Sequence, residues 1–345
     1  MKLRAALWLA LSGGAASCLI VATAAPAIPA AAATSVASAY TMTDLGALGP
    51  SAVSRGFGIN AGGEVTGQSY TAQTITFPCG RHICRATTSD PFSWIAGKLT
   101  DLGTLGAAGS FSQGRAVNRA GDIAGGSAGK AFLVHNGKLT DLGPGTATGI
   151  NDFGEIVGGT SCCHAFVISG GTRTTLPDLS SSGGGLSSAS GISNSHQIVG
   201  FSDNAQGWGH AVRWSNGAIT DLGTLGGTQS AAYAINDLGQ ITGWAHTVSE
   251  ATHVFLYSGG KMTDLGTFGL DPVGEAINNH GVIVGQSGNG AWIWSGGTFR
   301  NLNNLIPSRS GFTLDDATAI NDNGQIVANG HNSGGQEHTF LLTPG

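Results

Sequence analysis

Two kinds of residue in this sequence could do chemistry: those that recur with a motif and those that break it. Histidine, a frequent metal ligand and acid–base group, recurs at the start of a short apolar segment at His164, His210, His253 and His338. Aspartate recurs before Leu-Gly at Asp101, Asp141, Asp221 and Asp264. Acid–base catalysis needs two carboxyl groups at a defined separation around one bond, and the spacing of these aspartates indicates no such pair.

The residues that break the repeat are the better candidates for a site, because the architecture alone does not require them. An insertion between Gln68 and Asp90 carries basic residues, and two tryptophans fall outside the strand alternation. We expect all of these residues to lie in loops that connect the second and third strands of their repeats, on one face of the fold. Indole rings are costly to expose unless they pack or bind a ligand, and sugar rings stack well on flat aromatic faces. The candidate ligand-binding residues are therefore Arg81, His82, Trp208, Trp244 and His246.

The insertion also contains Cys79 and Cys84, and a second pair, Cys162 and Cys163, lies further along the chain. In an exported chain an even number of cysteines indicates disulfides, so we predict a Cys79–Cys84 disulfide. A zinc site formed by Cys79, His82 and Cys84 is the alternative, but this spacing is poor for zinc. Cys162 and Cys163 are left open between a vicinal disulfide, other pairing and free thiols.

No sequence signature of a cofactor or a familiar catalytic site is present. The chain lacks a Gly-x-Ser-x-Gly elbow, a His-Glu-x-x-His helix, a Walker loop and an EF-hand loop. The glycine-rich runs precede predicted strands and not helices, which indicates loops and not phosphate cradles. We therefore expect no cofactor, no metal site and no identifiable catalytic residue.

The elements that must position the candidate residues are repeats of the motif Ile-Asn-Asp-x-Gly-x-Ile-Val-Gly. Successive copies after the third are 42 or 43 residues apart, whereas the first interval is 58 and the second 33. The asparagine position is occupied, in order, by Asn60, Asn118, Asn151, Ser193, Asn236, Asn278 and Asn321. A regular period of this length is typical of propellers and other repeat folds.

Each unit contains four candidate strands. Strand A leads into Ile-Asn, strand B is Gly-x-Ile-Val-Gly, strand C begins near the recurring histidine, and strand D ends in Asp-Leu-Gly. Asn-Asp-x-Gly is a tight-turn signal because these residues tolerate positive φ. In strand C large apolar residues alternate, as in Trp292 and Trp294, which places them on one face of a sheet.

Four short strands per unit and seven units predict an all-β, seven-bladed β-propeller. The chain ends after a seventh strand C, and residues 40–49 form a strand D with no A, B or C before it. We therefore predict that this N-terminal strand completes the last blade. Side chains on the third strand from the axis diverge around the ring, so we interpret the four recurring histidines as structural, each bonded within its own blade.

The N-terminal segment, residues 1–39, has the order of a secretory signal peptide and short leader. Lys2 and Arg4 precede an apolar stretch, and candidate cleavage sites follow Ala24, Ala27 and Ala39. A membrane anchor would need an unbroken stretch of about 20 apolar residues, and a lipoprotein would acylate Cys18. We predict one domain over residues 40–345, secreted or displayed at the cell surface, with no transmembrane segment after the leader is removed.

Composition limits the partners. Only 10% of the residues are charged, and without the leader 13 basic residues face 20 acidic ones. A net negative charge without basic clusters argues against nucleic acid and anionic membranes as partners. We expect a monomer whose partner is a carbohydrate or an extracellular protein.

The recurring Asp-Leu-Gly-Thr-Leu-Gly-Gly, Ile-Asn-Asp-x-Gly and His-Ala-Phe elements resemble those of the bacterial extracellular HAF repeat family. The resemblance covers about residues 40–345, and three motifs recur in fixed order. The departures are Ser193 in place of asparagine and the missing histidine in repeats 1, 2 and 6. The resemblance implies a fold and an extracellular location but no activity.

Three functions fit a propeller with irregular residues on one face. Loops on a rigid scaffold commonly carry function, so our first hypothesis is a binding or interaction module for carbohydrate or another extracellular polymer. The alternatives are a carbohydrate-active enzyme, such as a polysaccharide lyase or glycoside hydrolase, and a structural surface protein without a small ligand. Charged side chains around the central shaft would favour the enzyme, whereas a bare shaft with exposed tryptophans would favour binding.

The disulfide hypothesis gives a first prediction. Only four residues separate Cys79 from Cys84, so the bond closes a short loop and should order it locally with little effect on global stability. Peptide mapping under non-reducing conditions should recover the two cysteines in one linked fragment. Recovery of both as free thiols would refute the pairing.

Overall fold

A computed structural model of the chain describes residues 40–79, 82–106, 111–160, 164–180, 184–308 and 310–345. Within these residues the chain forms strands β1–β28 and one short 3-10 turn, Leu302–Asn304. The strands assemble into seven four-stranded antiparallel sheets whose innermost strands follow one another in a closed circle. The chain is therefore a seven-bladed β-propeller, which confirms the fold class predicted from the repeats.

Strands A and B form the inner half of each blade. The A strands are β2 (Ser54–Ile59), β6 (Ser112–Val117), β10 (Thr146–Ile150), β14 (Ser187–Ile192), β18 (Gly226–Ile235), β22 (Val273–Ile277) and β26 (Phe312–Ile320). The B strands are β3 (Val65–Cys79), β7 (Ile123–Ser127), β11 (Ile156–Gly159), β15 (Ile198–Asp203), β19 (Ile241–Thr247), β23 (Ile283–Gln286) and β27 (Ile326–Asn332).

Strands C and D form the outer half. The C strands are β4 (His82–Ile95), β8 (Lys130–His135), β12 (Ala165–Ser169), β16 (Gly209–Ser215), β20 (Thr252–Ser258), β24 (Trp292–Ser295) and β28 (Glu337–Pro344). The D strands are β5 (Lys98–Asp101), β9 (Lys138–Pro144), β13 (Thr172–Thr175), β17 (Ala218–Gly223), β21 (Lys261–Gly266), β25 (Thr298–Asn301) and the N-terminal β1 (Tyr40–Asp44). We call the side with the A–B and C–D turns the turn face and the opposite side the loop face.

The asparagine of the repeated motif builds the A–B turn. In blade 5 the Oδ1 atom of Asn236 accepts hydrogen bonds from the backbone N–H groups of Leu238 and Gln240, at 3.1 and 2.9 Å. Gly239 follows in the turn with a φ of 74°, a conformation that glycine adopts without steric cost. The motif thus encodes a tight turn through its own side chain.

The same asparagine also joins neighbouring blades. Its Nδ2 group donates to the backbone carbonyl of the corresponding residue in the next blade, for example from Asn236 to Asn278 at 2.9 Å. Six such bonds, which we call the asparagine belt, start from Asn60, Asn118, Asn151, Asn236, Asn278 and Asn321. Ser193 in blade 4 has no amide to donate, so the belt lacks its seventh bond.

Apolar packing between blades supplies the rest of the cohesion. The cluster between blades 4 and 5, for example, joins Val199 and Ala211 of one blade to Ile241 and Phe255 of the next, all fully buried. Burial of one such large side chain contributes about 1.5–3 kcal/mol. The blades are therefore joined by repeated hydrophobic contacts as well as by the belt.

The N-terminal strand closes the ring as predicted. β1 pairs antiparallel with β28, from Tyr40 opposite Pro344 to Asp44 opposite Phe340. Tyr40 and Leu45 are buried in the adjoining cores. Blade 7 therefore consists of three C-terminal strands and one N-terminal strand, so its strand C is not left as an open edge.

Three of the four recurring histidines bond within their own blades through their side chains, as interpreted from the sequence. The Nδ1 atoms of His210 and His253 lie 2.9 Å from the carboxylates of Asp221 and Asp264 on the adjacent strand D. His338 pairs in the same way with Asp44 of the N-terminal strand, at 2.7 Å. These pairs fasten strand D to strand C and account for the joint recurrence of histidine and aspartate.

Two expectations about connections were wrong. The insertion of repeat 1 is not an irregular loop, because β3 and β4 continue as a long two-stranded hairpin beyond the blade. Trp244 lies inside strand β19, where Ala231 pairs with it, and not in a connection. The predicted leader lies outside the described residues. Within the described residues, no helix has the length and apolar character needed to cross a bilayer.

Closure by β1 leads to a prediction for a variant that lacks residues 40–49. It should lose at least about 3 kcal/mol of unfolding free energy, because the buried Tyr40 and Leu45 side chains are removed and strand C of blade 7 becomes an edge. Chemical denaturation measures the loss, and Thr43→Ala, an exposed change in the same strand, serves as the control. A truncated protein as stable as the control would contradict closure.

Candidate functional site

The inner strands place one side chain per blade around the central shaft. These side chains stand two positions before the apolar residue that precedes the belt asparagine. They form what we call the shaft tier: Phe57, Arg115, Thr148, Ser190, Tyr233, Glu275 and Thr318. Together with Ser188 and Ala189 they line a cavity of about 220 Å³. Because alternate residues of a strand share a face, each blade contributes its own side chain to this cavity.

The shaft tier differs in chemistry from blade to blade. The first and fourth positions of the A–B turn are asparagine and glycine in every blade but blade 4, whereas the tier contains two aromatic rings, three hydroxyl side chains, one arginine and one glutamate. Thr148 and Thr318 donate hydrogen bonds to the next blade, but the fold does not require an arginine, a glutamate or a tyrosine at positions that face a cavity. Variety at these positions is therefore typical of a site and not of a scaffold.

Arg115 is the unusual cation of the shaft. Its guanidinium carbon lies 4.9 Å from the centre of the Phe57 ring. Its Nε atom is buried without a hydrogen-bond partner, and within the described residues the group forms no ion pair. Burial lowers the pKa of Arg115, while the nearby Glu275 acts in the opposite direction. A guanidinium has five donors and no acceptor, so the cavity presents unused donors.

Glu275 is the matching acid, and its environment keeps a large fraction of it protonated at neutral pH. The pKa of its carboxyl is raised to about 7, mainly by burial and also by the charge of Asp316, whereas the hydrogen bond from Gln286 and the Arg115 and Arg55 charges oppose this rise. Gln286 donates a hydrogen bond to its Oε1 atom at 3.0 Å. A protonated carboxyl can both donate and accept hydrogen bonds to a ligand.

A second charge pair lies nearer the loop face. Arg55 forms a salt bridge with the buried carboxylate of Asp316. Asn329 donates to the other carboxylate oxygen at 2.7 Å. Burial raises the pKa of Asp316, and the charge of Arg55 opposes this rise. Both oxygens of Asp316 are thus occupied, so this pair neutralises itself and leaves Arg115 as the cation without a partner.

Tyr233 connects the shaft to two of the predicted site residues. Burial raises the pKa of its phenol, Glu275 raises it further, and a hydrogen bond with the Trp244 side chain lowers it. The Trp244 ring lies 5.1 Å from the ring of His246, and His246 in turn pairs with Glu250 at 3.0 Å. Trp244 and His246 therefore lie on strand β19, next to the strand of Tyr233, and Trp244 interacts with this shaft residue.

The other predicted residues lie away from this group. Trp208 is 45% exposed, and its backbone N–H donates to Asn204 at the tip between β15 and β16. The structure shows no ring contact between Trp208 and Trp244, both of which it describes. His82 is exposed at the end of the long hairpin. Arg81, Cys162 and Cys163 lie outside the described residues, as does the side chain of Cys79.

The turn-face mouth of the shaft is also polar, but its groups are already paired. Aspartate and asparagine alternate there in blades 3 to 7, and each accepts a backbone N–H from the preceding blade, as Asp237 does from Asn194 at 2.8 Å. Asn194 also donates its amide to Asp152 and Asp237, both at 3.1 Å. These oxygens accept hydrogen bonds between blades, which indicates a structural role for the polar groups at the mouth. The shaft tier is therefore the stronger candidate site.

The chemistry of the described residues offers no obvious metal centre, since no group of three or more histidine, cysteine, aspartate or glutamate side chains is placed to hold an ion there. The sequence could have indicated the shaft residues. Arg115, Tyr233 and Glu275 stand at one position of the motif where repeats 3, 4 and 7 have a small hydroxyl residue. These exceptions lie in the inner strands, whereas the candidates named from the sequence had been assigned to connections.

Comparison with known proteins adds no family. No family model matches the chain, and no curated protein matches it. The resemblance to the HAF repeat family therefore stays a prediction.

Among solved structures, TolB from Acinetobacter baumannii aligns with a TM-score of 0.43 and 13% identity, over 74% of this chain and 60% of that one. A putative TolB from Agrobacterium tumefaciens aligns with a TM-score of 0.43 and 12% identity, over 60% of this chain and 87% of that one. A puromycin-hydrolyzing peptidase from Mycobacterium tuberculosis aligns with a TM-score of 0.32 and 10% identity, over 87% of this chain and 53% of that one. The chain thus spans about 60% of the length of the first of these, and likenesses this weak support no functional conclusion.

The raised pKa of Glu275 predicts a pH-dependent stability. A carboxyl whose folded-state pKa is about 7, against its ordinary 4.5, stabilises the folded state fully only below pH 4.5, and this contribution is lost as pH rises to 7. Ionisation then costs about 3 kcal/mol. The Glu275→Gln variant should therefore have a higher melting temperature than the unchanged protein at pH 8 and the same melting temperature at pH 4.5. Melting curves across this range test it, with exposed Glu337→Gln as the control. A variant less stable at both pH values would contradict the assignment.

Proposed function

We propose that this chain is an exported binding module that takes one unit of a hydroxyl-rich ligand, a saccharide, into the central shaft. The observation that carries the proposal is the shaft tier, where the repeats diverge in chemistry at positions that face a common cavity. The leader-like N-terminus supports a location outside the cytoplasm.

The lining suits a sugar. Ser190 offers a hydroxyl group that can donate and accept hydrogen bonds, as sugar hydroxyls do. The hydroxyl groups of Thr148 and Thr318 donate to the carbonyls of Ala189 and Gly56 in the next blade, at 2.8 and 2.9 Å, and can therefore accept from a sugar. Phe57 and Tyr233 add aromatic surface against which the apolar face of a sugar ring can pack. At about 220 Å³ the cavity is smaller than the roughly 300–1,000 Å³ of drug-sized sites. It therefore suits a single ring at the end of a chain or on a branch.

The second candidate is a carbohydrate-active enzyme. The charged side chains of the shaft, Arg115 and Glu275, favour it by the criterion stated for the sequence, and Glu275 is the more specific observation. A carboxyl kept protonated near neutral pH is what a general acid requires. Glycoside hydrolysis, however, also needs a second carboxylate free to act as a base or nucleophile. Asp316 is the neighbouring carboxylate, and Arg55 and Asn329 occupy its two oxygens. Binding therefore fits the geometry better than catalysis.

A glycan array with the purified protein tests this proposal. We expect saccharide hits whose affinity falls at least tenfold in Tyr233→Ala, because the shaft loses an aromatic wall and a phenol. Trp208→Ala is the matched aromatic control on the exposed hairpin tip. Loss of binding in Trp208→Ala with Tyr233→Ala unaffected would place the site where the sequence predicted it, outside the shaft. An array without any saccharide hit would refute the proposed function.

A further inference from the structure

The charge balance of the shaft leaves one cation unmatched. Arg55 and Asp316 neutralise each other in their salt bridge. Arg115 has no ion pair and no hydrogen bond among the described residues, and its Nε atom is buried without a partner. Leaving a buried donor of a charged group unsatisfied is costly. The fold does not require an arginine at this position, because the equivalent residues of blades 3, 4 and 7 are threonine or serine. The cost of burying this donor therefore has no structural reason.

We propose that Arg115 is the anchor for a carboxylate of the shaft ligand, so that the ligand is an acidic saccharide that presents a uronic acid unit. This inference rests on the proposed saccharide function. Arginine binds a carboxylate through two parallel N–H donors. The two terminal nitrogens, for which the described residues provide no hydrogen-bond partner, form such a pair at the end of the guanidinium, whereas Nε is buried by the protein. Phe57 lies against the guanidinium and restricts its orientation, which favours a planar, bidentate partner.

Glu275 contributes by its protonation state. The charged and titratable groups around it are Arg115 and Arg55, which lower its pKa, Asp316, which raises it, and Tyr233, whose pKa Glu275 itself raises. When Glu275 is neutral, the charge of Arg115 is available to an incoming anion. When Glu275 is ionised, it competes for Arg115 and repels the anion. Uronate affinity should therefore be constant well below pH 7 and fall as pH rises through about 7.

The test uses pairs of saccharides that differ only at C6, as CH₂OH or COO⁻: galactose and galacturonate, glucose and glucuronate, and mannose and mannuronate trisaccharides. Calorimetry at pH 6 should show at least one pair in which the uronate binds about 10- to 100-fold more tightly, the usual range for hydrogen bonds to a charged group. Arg115→Gln should abolish this preference, and Arg115→Lys should retain part of it. Arg119→Gln, an exposed arginine on the A–B turn of the same blade, is the matched control.

The selectivity ratio separates anchoring from a structural defect. A folding defect weakens both members of a pair, whereas loss of the anchor weakens only the uronate. Equal affinity for uronate and neutral sugar in the unchanged protein, or a preference that survives Arg115→Gln, would overturn the carboxylate inference and leave saccharide binding intact. Tighter binding of a matched 6-sulfated sugar would also overturn it. If neither member of any pair binds, the proposed function itself fails. Glu275→Gln should keep the uronate affinity and remove its decrease above pH 7.

Discussion

The fold depends on the asparagine of the repeated motif, whose side chain makes two kinds of hydrogen bond. The amide oxygen of the motif asparagine shapes the A–B turn, and its amide nitrogen reaches the backbone of the next blade, as in Asn278 to Asn321. Short hairpins of this kind are marginal alone, so each unit depends on its neighbours. Through the asparagine belt, the asparagine that forms an A–B turn also makes a hydrogen bond to the next blade. Because it acts at the turn-face end of the inner strands, it sets the spacing of the strands around the shaft.

This division of labour leaves most of the shaft tier free to carry chemistry. Hydrogen bonds at the turns, the hydrophobic clusters between blades and the His–Asp pairs on the outer strands hold the ring together, and of the tier Thr148 and Thr318 also donate hydrogen bonds to the next blade. The tier can then include groups that reduce stability, such as Arg115, whose buried Nε has no partner, and Glu275, whose burial disfavours the ionised carboxylate. Functional sites commonly bear such costs where the surrounding scaffold is stable. The shaft fits that description better than any other part of the described chain.

Much of the architecture followed from the sequence because it repeats. Seven copies of one turn motif gave the blades, and the unmatched N-terminal strand indicated the closure that β1 and β28 make. The structural reading of the histidines also followed, because their aspartate partners recur at the same period. In these cases the interaction lies within one repeat or between identical positions, so a local pattern contains the information.

The candidate site was harder to predict from the sequence, because it consists of residues that differ between repeats. Arg115 and Glu275 are far apart in sequence, and only the circular arrangement brings them to one cavity. Trp244 was placed in a connection because the length of strand β19 is set by pairing and not by its own residues. Blade 4 is a further case, since His196 takes the turn position of glycine with a φ of 61° and Ser193 lacks the belt amide.

The most direct test of the account is a crystal structure of the protein with its tightest-binding saccharide. The account predicts density for one sugar ring inside the shaft, within hydrogen-bonding distance of Thr148 or Tyr233 and in contact with the Phe57 ring. Density confined to the loop-face surface around Trp208, with no saccharide in the shaft, would contradict it.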